Sequence, residues 1–196
     1  MLINKQKLTN TLSKVQEIKE AYRLKFIGSD ATKRSVNNLL ELCRTYLAKN
    51  IDWYVHSDSA LNHLVQSFVI VKDDRYEICT LSDLNNCWKR FVLCKELFHI
   101  ILDCEEDWNS SLEDHLINFH GGITELECPV PPSAQAELLA EIAAMEFLFP
   151  YAERAAILQH GNLEYSAIAE RYKIPRYFAE RYLTKAYIEN LREFHV

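Results

Sequence analysis

The stretch SDLNNCWKRFVLCKELFHIILDC, residues 82–104, leaves this chain the fewest options. Trp88, Phe91, Leu93, Cys94, Leu97, Phe98, Ile100, Ile101 and Leu102 recur too densely for a strand with one wet face and cover most of the circumference of a helix. A helix that is apolar all round must be covered all round, by other protein or by lipid. Lys89, Arg90, Lys95 and Glu96 interrupt the run, which falls short of the roughly 18 apolar residues a membrane span needs. The cover is therefore expected from the chain itself. Its 196 residues suffice for one sizeable core and are marginal for two.

The flanking segments supply that cover. Leu8, Leu12, Val15, Ile18, Tyr22 and Phe26 recur at spacings of three and four and predict an amphipathic helix over 5–26. A second helix is expected over 35–48, with Leu39, Leu40, Leu42, Tyr46 and Leu47 as its apolar positions. IDWYVH at 51–56, LVQSFVIV at 64–71 and EICTL after KDDRY are rich in β-branched and aromatic residues and read as strands. The last two form a hairpin turned at Asp73–Asp74. Residues 104–133, with HGG and PVPP punctuation, read as a long connection of the kind often used as a lid or substrate-side insertion. Ser133 is placed to cap a helix that ends at Pro150, and a helical region covers 151–194. The expected class is α+β, mostly α, with a small three-stranded sheet packed on the central helix. The chain is read as one domain over 1–196, divided into N-terminal helices (1–49), a core (50–150) and a helical tail (151–196).

Gly and Pro number only 4 and 5, which argues against a turn-rich sandwich and against long disordered linkers. The net charge of −6 weighs against a non-specific nucleic-acid binder. Six scattered cysteines form no C-x-x-C pair, and several sit inside apolar runs; this is the pattern of buried thiols in a reducing compartment. MLINKQKLTN lacks the apolar stretch of a secretory signal. A cytoplasmic location is expected.

Chemistry enters through Lys95-Glu96-Leu97-Phe98-His99. Positions 95 and 99 lie one helical turn apart on one face. In H-E-x-x-H two histidines at that spacing hold zinc, and the glutamate serves the metal-bound water as general base. Here a lysine stands in the first position. The segment 90–102 resembles the R-F-T-L-A-H-E-L-G-H-L-L-L helix of the ImmA/IrrE-type metallopeptidases. Residues 137–150, ELLAEIAAMEFLFP, resemble that family's E-x-x-A-N-x-F-A-x-x-L-L-x-P. The two motifs fall in the family's order, and the likeness covers roughly 50–185. It implies that His99 is the second zinc ligand, Glu137 the third and Glu96 the general base. Lys95 departs from the first histidine, Phe98 from a glycine and Ala143 from a phenylalanine.

A zinc ligand must present a lone pair, and an ammonium with a reference pKa near 10.4 has none at neutral pH. Two family ligands remain where a catalytic zinc wants three. His115, His120, Cys94 and Cys104 are conceivable substitutes. Cys94 points about 100° away on the helix, and Asp103, one turn beyond His99, is better placed. The alternative to a metal is that the Lys95 ammonium sits between Glu96 and Glu137 and neutralises them.

The reading that follows is a catalytically impaired ImmA/IrrE-like protein that binds a protein or peptide partner, needs no cofactor, and by resemblance serves phage or mobile-element control. The competing readings are a zinc endopeptidase cleaving a repressor-type protein, and a DNA-contacting regulator. The last rests on the tail YSAIAERYKIPRYFAERYL, which has the rhythm of a helix-turn-helix about Lys173-Ile174-Pro175 and carries Arg171, Lys173, Arg176, Arg181 and Lys185. Glu164, Glu170 and Glu180 interleave with those bases, so nucleic acid is the weaker partner. His56, His63 and the tyrosines at 165, 172, 177, 182 and 187 are read as surface or packing residues.

Overall fold

A computed structural model describes residues 4–26, 30–57, 66–103, 132–161 and 163–194. Helix α1 (Lys5–Phe26) buries Leu8, Leu12, Val15, Ile18 and Tyr22, which form its predicted apolar stripe. Asp30 then caps a short 3-10 turn (Ala31–Lys33) by accepting from the Thr32 amide. Helix α2 (Val36–Leu47) follows and ends on Ala48, which takes the left-handed conformation at φ 50°. Leu39, Leu40 and Leu42 go inward, but Tyr46 does not: it stands 39% exposed. Its hydroxyl donates to Glu17 and accepts from Lys14, at 2.7 and 2.8 Å. Those polar partners hold the ring at the surface.

Strands β1 (Asn50–His56), β2 (Ser67–Val71) and β3 (Arg75–Leu81) form one mixed sheet in the order β1-β3-β2. β2 and β3 are the expected hairpin about Asp73–Asp74, closed by the Lys72 amide donating to the Arg75 carbonyl at 2.9 Å. β1 runs parallel to β3 on its other side. β3 is thus central, and Ile78, Cys79, Thr80 and Leu81 are buried in it. The register puts Ile51, Trp53, Ile78, Thr80, Val69 and Ser67 on one face, and α3 lies against this sheet.

Helix α3 (Asn86–Leu102) starts later than the apolar run suggests. The Asn85 side chain accepts from the Trp88 amide and fixes the start there, leaving Ser82–Leu84 outside the helix. Helix α4 (Pro132–Leu148) begins at Pro132. Ser133 therefore lies in its first turn rather than capping it, and proline is suited to a first turn because its missing N–H would go unbonded anyway. α4 packs along α3, and Ala136, Ala140, Ala143 and Ala144 are buried with little side chain to hold it off. Phe98 and Ala143 have no exposed surface.

The tail folds as α5 (Tyr151–His160), α6 (Tyr165–Tyr172), α7 (Arg176–Tyr182) and α8 (Lys185–Leu191), with a closing 3-10 turn (Arg192–Phe194). The described residues are thus α+β and mostly α, with eight α-helices and a three-stranded sheet. Arg90 on α3 fastens the tail: its guanidinium donates to the carbonyls of Tyr172, Lys173 and Arg34. None of the described helices is long and apolar enough to cross a membrane. His63, His115, His120, Cys104 and nearly all of the 104–133 connection lie outside the described residues.

Candidate functional site

Lys95, Glu96 and His99 project from the middle of α3, and Glu137 meets them from the first turns of α4. The Lys95 Nζ lies 2.7 Å from Glu137 Oε2 and 3.2 Å from Glu96 Oε1. His99 turns Nε2 toward Glu137 Oε1 at 3.4 Å and Nδ1 toward Asp103 Oδ2 at 2.6 Å. The first contact is an ion pair without hydrogen-bond geometry, so Nε2 is buried with no hydrogen-bond partner. The second is a short hydrogen bond between residues one turn apart. Asp103 thus orients the ring instead of standing free as a ligand. Ser67 at the start of β2 donates to Glu96 Oε1 at 2.6 Å and ties the sheet edge to the site.

The side chains are largely enclosed: 4% exposure for Glu96, 5% for Asp103, 6% for His99, 16% for Lys95 and 32% for Glu137. Burial alone would lower the Lys95 pKa, but Glu96 and Glu137 outweigh it and the net shift is upward. The ammonium is therefore held charged. Burial would likewise deprotonate His99, yet Glu137 and the Asp103 hydrogen bond raise it to about 10. Burial would raise Glu137; Lys95 and His99 overcome that and hold it well below the ordinary carboxylate range. Two cations thus alternate with three carboxylates in one interlocked cluster.

This arrangement does not suit the zinc that the family resemblance implies. The carboxylate that would be the third ligand is engaged by the Lys95 ammonium, which itself offers no lone pair in the place of the first. Among the described residues no three His, Cys, Asp or Glu side chains are grouped to hold a metal ion. Cys94 is fully enclosed in the core, where burial pushes its thiol up, and takes no part. His56 is exposed at the end of β1.

Sequence reasoning missed three partners. Ser67 carries no motif, and its contact joins residues 29 apart. Glu141, one turn beyond Glu137, accepts from the Tyr182 hydroxyl at 2.6 Å and pairs with Arg181 at 2.9 Å; burial raises its pKa in spite of them. Glu146 pairs with Lys19 and with the fully buried Arg154, at 3.1 and 2.8 Å. Arg154 lies near the rings of Tyr182 and Tyr187. Much of the tail's polarity is thus spent on internal contacts. Comparison with protein-family models and with curated proteins found no match.

Proposed function

We propose that the chain is a metallopeptidase-like scaffold without the peptidase's metal, and that it acts by binding a protein or peptide. One observation carries the reading. The Lys95 ammonium lies between Glu96 and Glu137, the general-base and third-ligand positions of the ImmA/IrrE-like pattern. A single internal cation there offsets charge that a zinc ion would otherwise meet, without activating water. β2 supports the binding half of the reading. Among the described residues it is an edge strand of the sheet, and Ser67 sets it beside the cluster. An unpaired strand edge presents backbone donors and acceptors to an extended peptide. Cleavage of a denatured protein substrate, with added zinc and with chelator, tests the reading. No cleavage under either condition is expected; chelator-sensitive cleavage abolished by Glu96→Gln would establish the zinc endopeptidase instead.

A further inference from the structure

A hydroxyl becomes a nucleophile when a base within about 2.6–3.2 Å can take its proton and a third group fixes that base. Ser67, Glu96 and Lys95 meet both conditions, and the binding reading makes no use of the serine as a reactive group. The Ser67 hydroxyl donates to Glu96 Oε1 at 2.6 Å. The Lys95 Nζ lies 3.2 Å from the same oxygen and anchors that carboxylate. Ser67 comes from the start of β2, and Lys95 and Glu96 are neighbours on α3.

Glu96 is enclosed, whereas Ser67 is half-buried and its backbone faces outward. The Lys72 amide bonds the Arg75 carbonyl and the Leu81 amide the Gln66 carbonyl, at 2.9 and 3.1 Å. Alternation along the antiparallel ladder between those pairs turns the backbone groups of Phe68 and Ile70 to β3. Those of Ser67, Val69 and Val71 are left at the edge, which is free among the described residues. An extended ligand paired there carries its carbonyl groups past Ser67. Lys95 supplies the charge: an ammonium has three N–H donors, and Glu137 and Glu96 engage two. A fixed cation beside a developing oxyanion lowers the barrier to acyl transfer.

We propose that Ser67 is a nucleophile with Glu96 as its base, and that the site carries out metal-free acyl transfer from activated esters to water. The proposal rests on the metal-free reading of the Lys95 cluster. Ser67 Oγ bonds to the carbonyl carbon, its proton passes to Glu96 Oε1, and the carbonyl π pair moves to the oxygen, which Lys95 stabilises. Collapse breaks the bond to the aryl oxygen, and the proton leaves Glu96 with it. Water then attacks the acyl-serine, gives its proton to Glu96 and expels Oγ, which recovers that proton. Ester and water thus give acid and phenol. The base sets the substrate class. Ammonium and hydroxyl both claim the oxygen that must receive the proton, so the site suits an aryl oxygen, which departs with little help. A peptide nitrogen must be protonated before it leaves, and peptides are not substrates.

The test is incubation of the full chain, in chelator, with a fluorophosphonate probe, whose phosphorus bonds to Oγ as fluoride leaves. The labelled residue is located by mass spectrometry, and nitrophenol release from para-nitrophenyl acetate reads turnover. Label on Ser67 of the natural chain is expected. Glu96→Gln should slow both reactions about a hundredfold, and Ser67→Ala should abolish them, with circular dichroism to check that both variants fold. Mapping the label on the natural chain requires no variant. Absence of label from Ser67 in chelator and in zinc overturns the proposal and leaves the metal-free reading standing. Equal labelling of other serines, or ester hydrolysis unchanged in Glu96→Gln, also overturns it. Label on Ser67 that forms only with zinc overturns the metal-free reading as well.

Discussion

Replacing Lys95 by methionine keeps an unbranched side chain one atom shorter and removes its charge. Glu96 and Glu137 then share an enclosed site with no ammonium between them, at positions now 3.2 and 2.7 Å from Nζ. Breaking a buried ion pair from one side costs about 3–5 kcal/mol, because the other charge is left uncompensated. Glu137 is 32% exposed and retains some hydration, and His99 still faces it, which brings the expectation to the lower end, about 3 kcal/mol. With a urea dependence of about 2–3 kcal/mol per molar, the unfolding midpoint should fall by about 1 M. The double variant Lys95→Met/Glu137→Gln should recover part of the loss, with a coupling of about 1–3 kcal/mol. A loss below about 0.5 kcal/mol from Lys95→Met, or no recovery in the double variant, would refute the reasoning that this ammonium holds the cluster together.

Three further outcomes follow. Burial disfavours the His99 imidazolium, but Glu137 and Asp103 raise its pKa from 6.5 to about 10. Its contribution should thus be complete below about pH 6 and lost as pH rises through about 10; urea midpoints across that range should decline, and His99→Gln should flatten the decline. Ser67→Ala removes a hydrogen bond to a buried carboxylate and should cost about 1.5–3 kcal/mol by the same assay. Ala48 holds φ 50° at the end of α2, a conformation glycine adopts without strain, so Ala48→Gly should stabilise the fold by about 0.5–1 kcal/mol.

The sequence is informative wherever a pattern is local. The stripe of α1, the turn at Asp73–Asp74 and the ends of α2 depend on residues a few positions apart, and the structure places them close to where periodicity and turn chemistry do. The pairing of Lys95 with Glu96 and Glu137 was expected because the resemblance to the ImmA/IrrE-type pattern put both carboxylates at one site, where a buried ammonium needs an opposite charge; the spacing of residues alone does not bring Glu137, 42 positions away, to Lys95. Other features were not legible. The parallel pairing of β1 with β3 depends on how the chain crosses the sheet, which alternation in either strand does not encode. Ser67 looks like any polar residue opening a strand; only the packing of β2 on α3 gives it a carboxylate. Asp103 stood out by spacing, and that spacing served to orient His99. Tyr46 shows the limit of apolar counting: its hydroxyl partners on α1 override its place in the stripe.

We propose that the Lys95 ammonium excludes a metal from this site. The measurement that tests it most directly is zinc content and zinc titration of the natural chain beside Lys95→His. The account predicts no stoichiometric zinc in the natural chain, because the Glu137 carboxylate is engaged by Nζ. In the variant the ammonium is gone, His99 and Glu137 regain their donors, and about one zinc per chain is predicted. Stoichiometric zinc bound by the natural chain with Lys95 in place would contradict it.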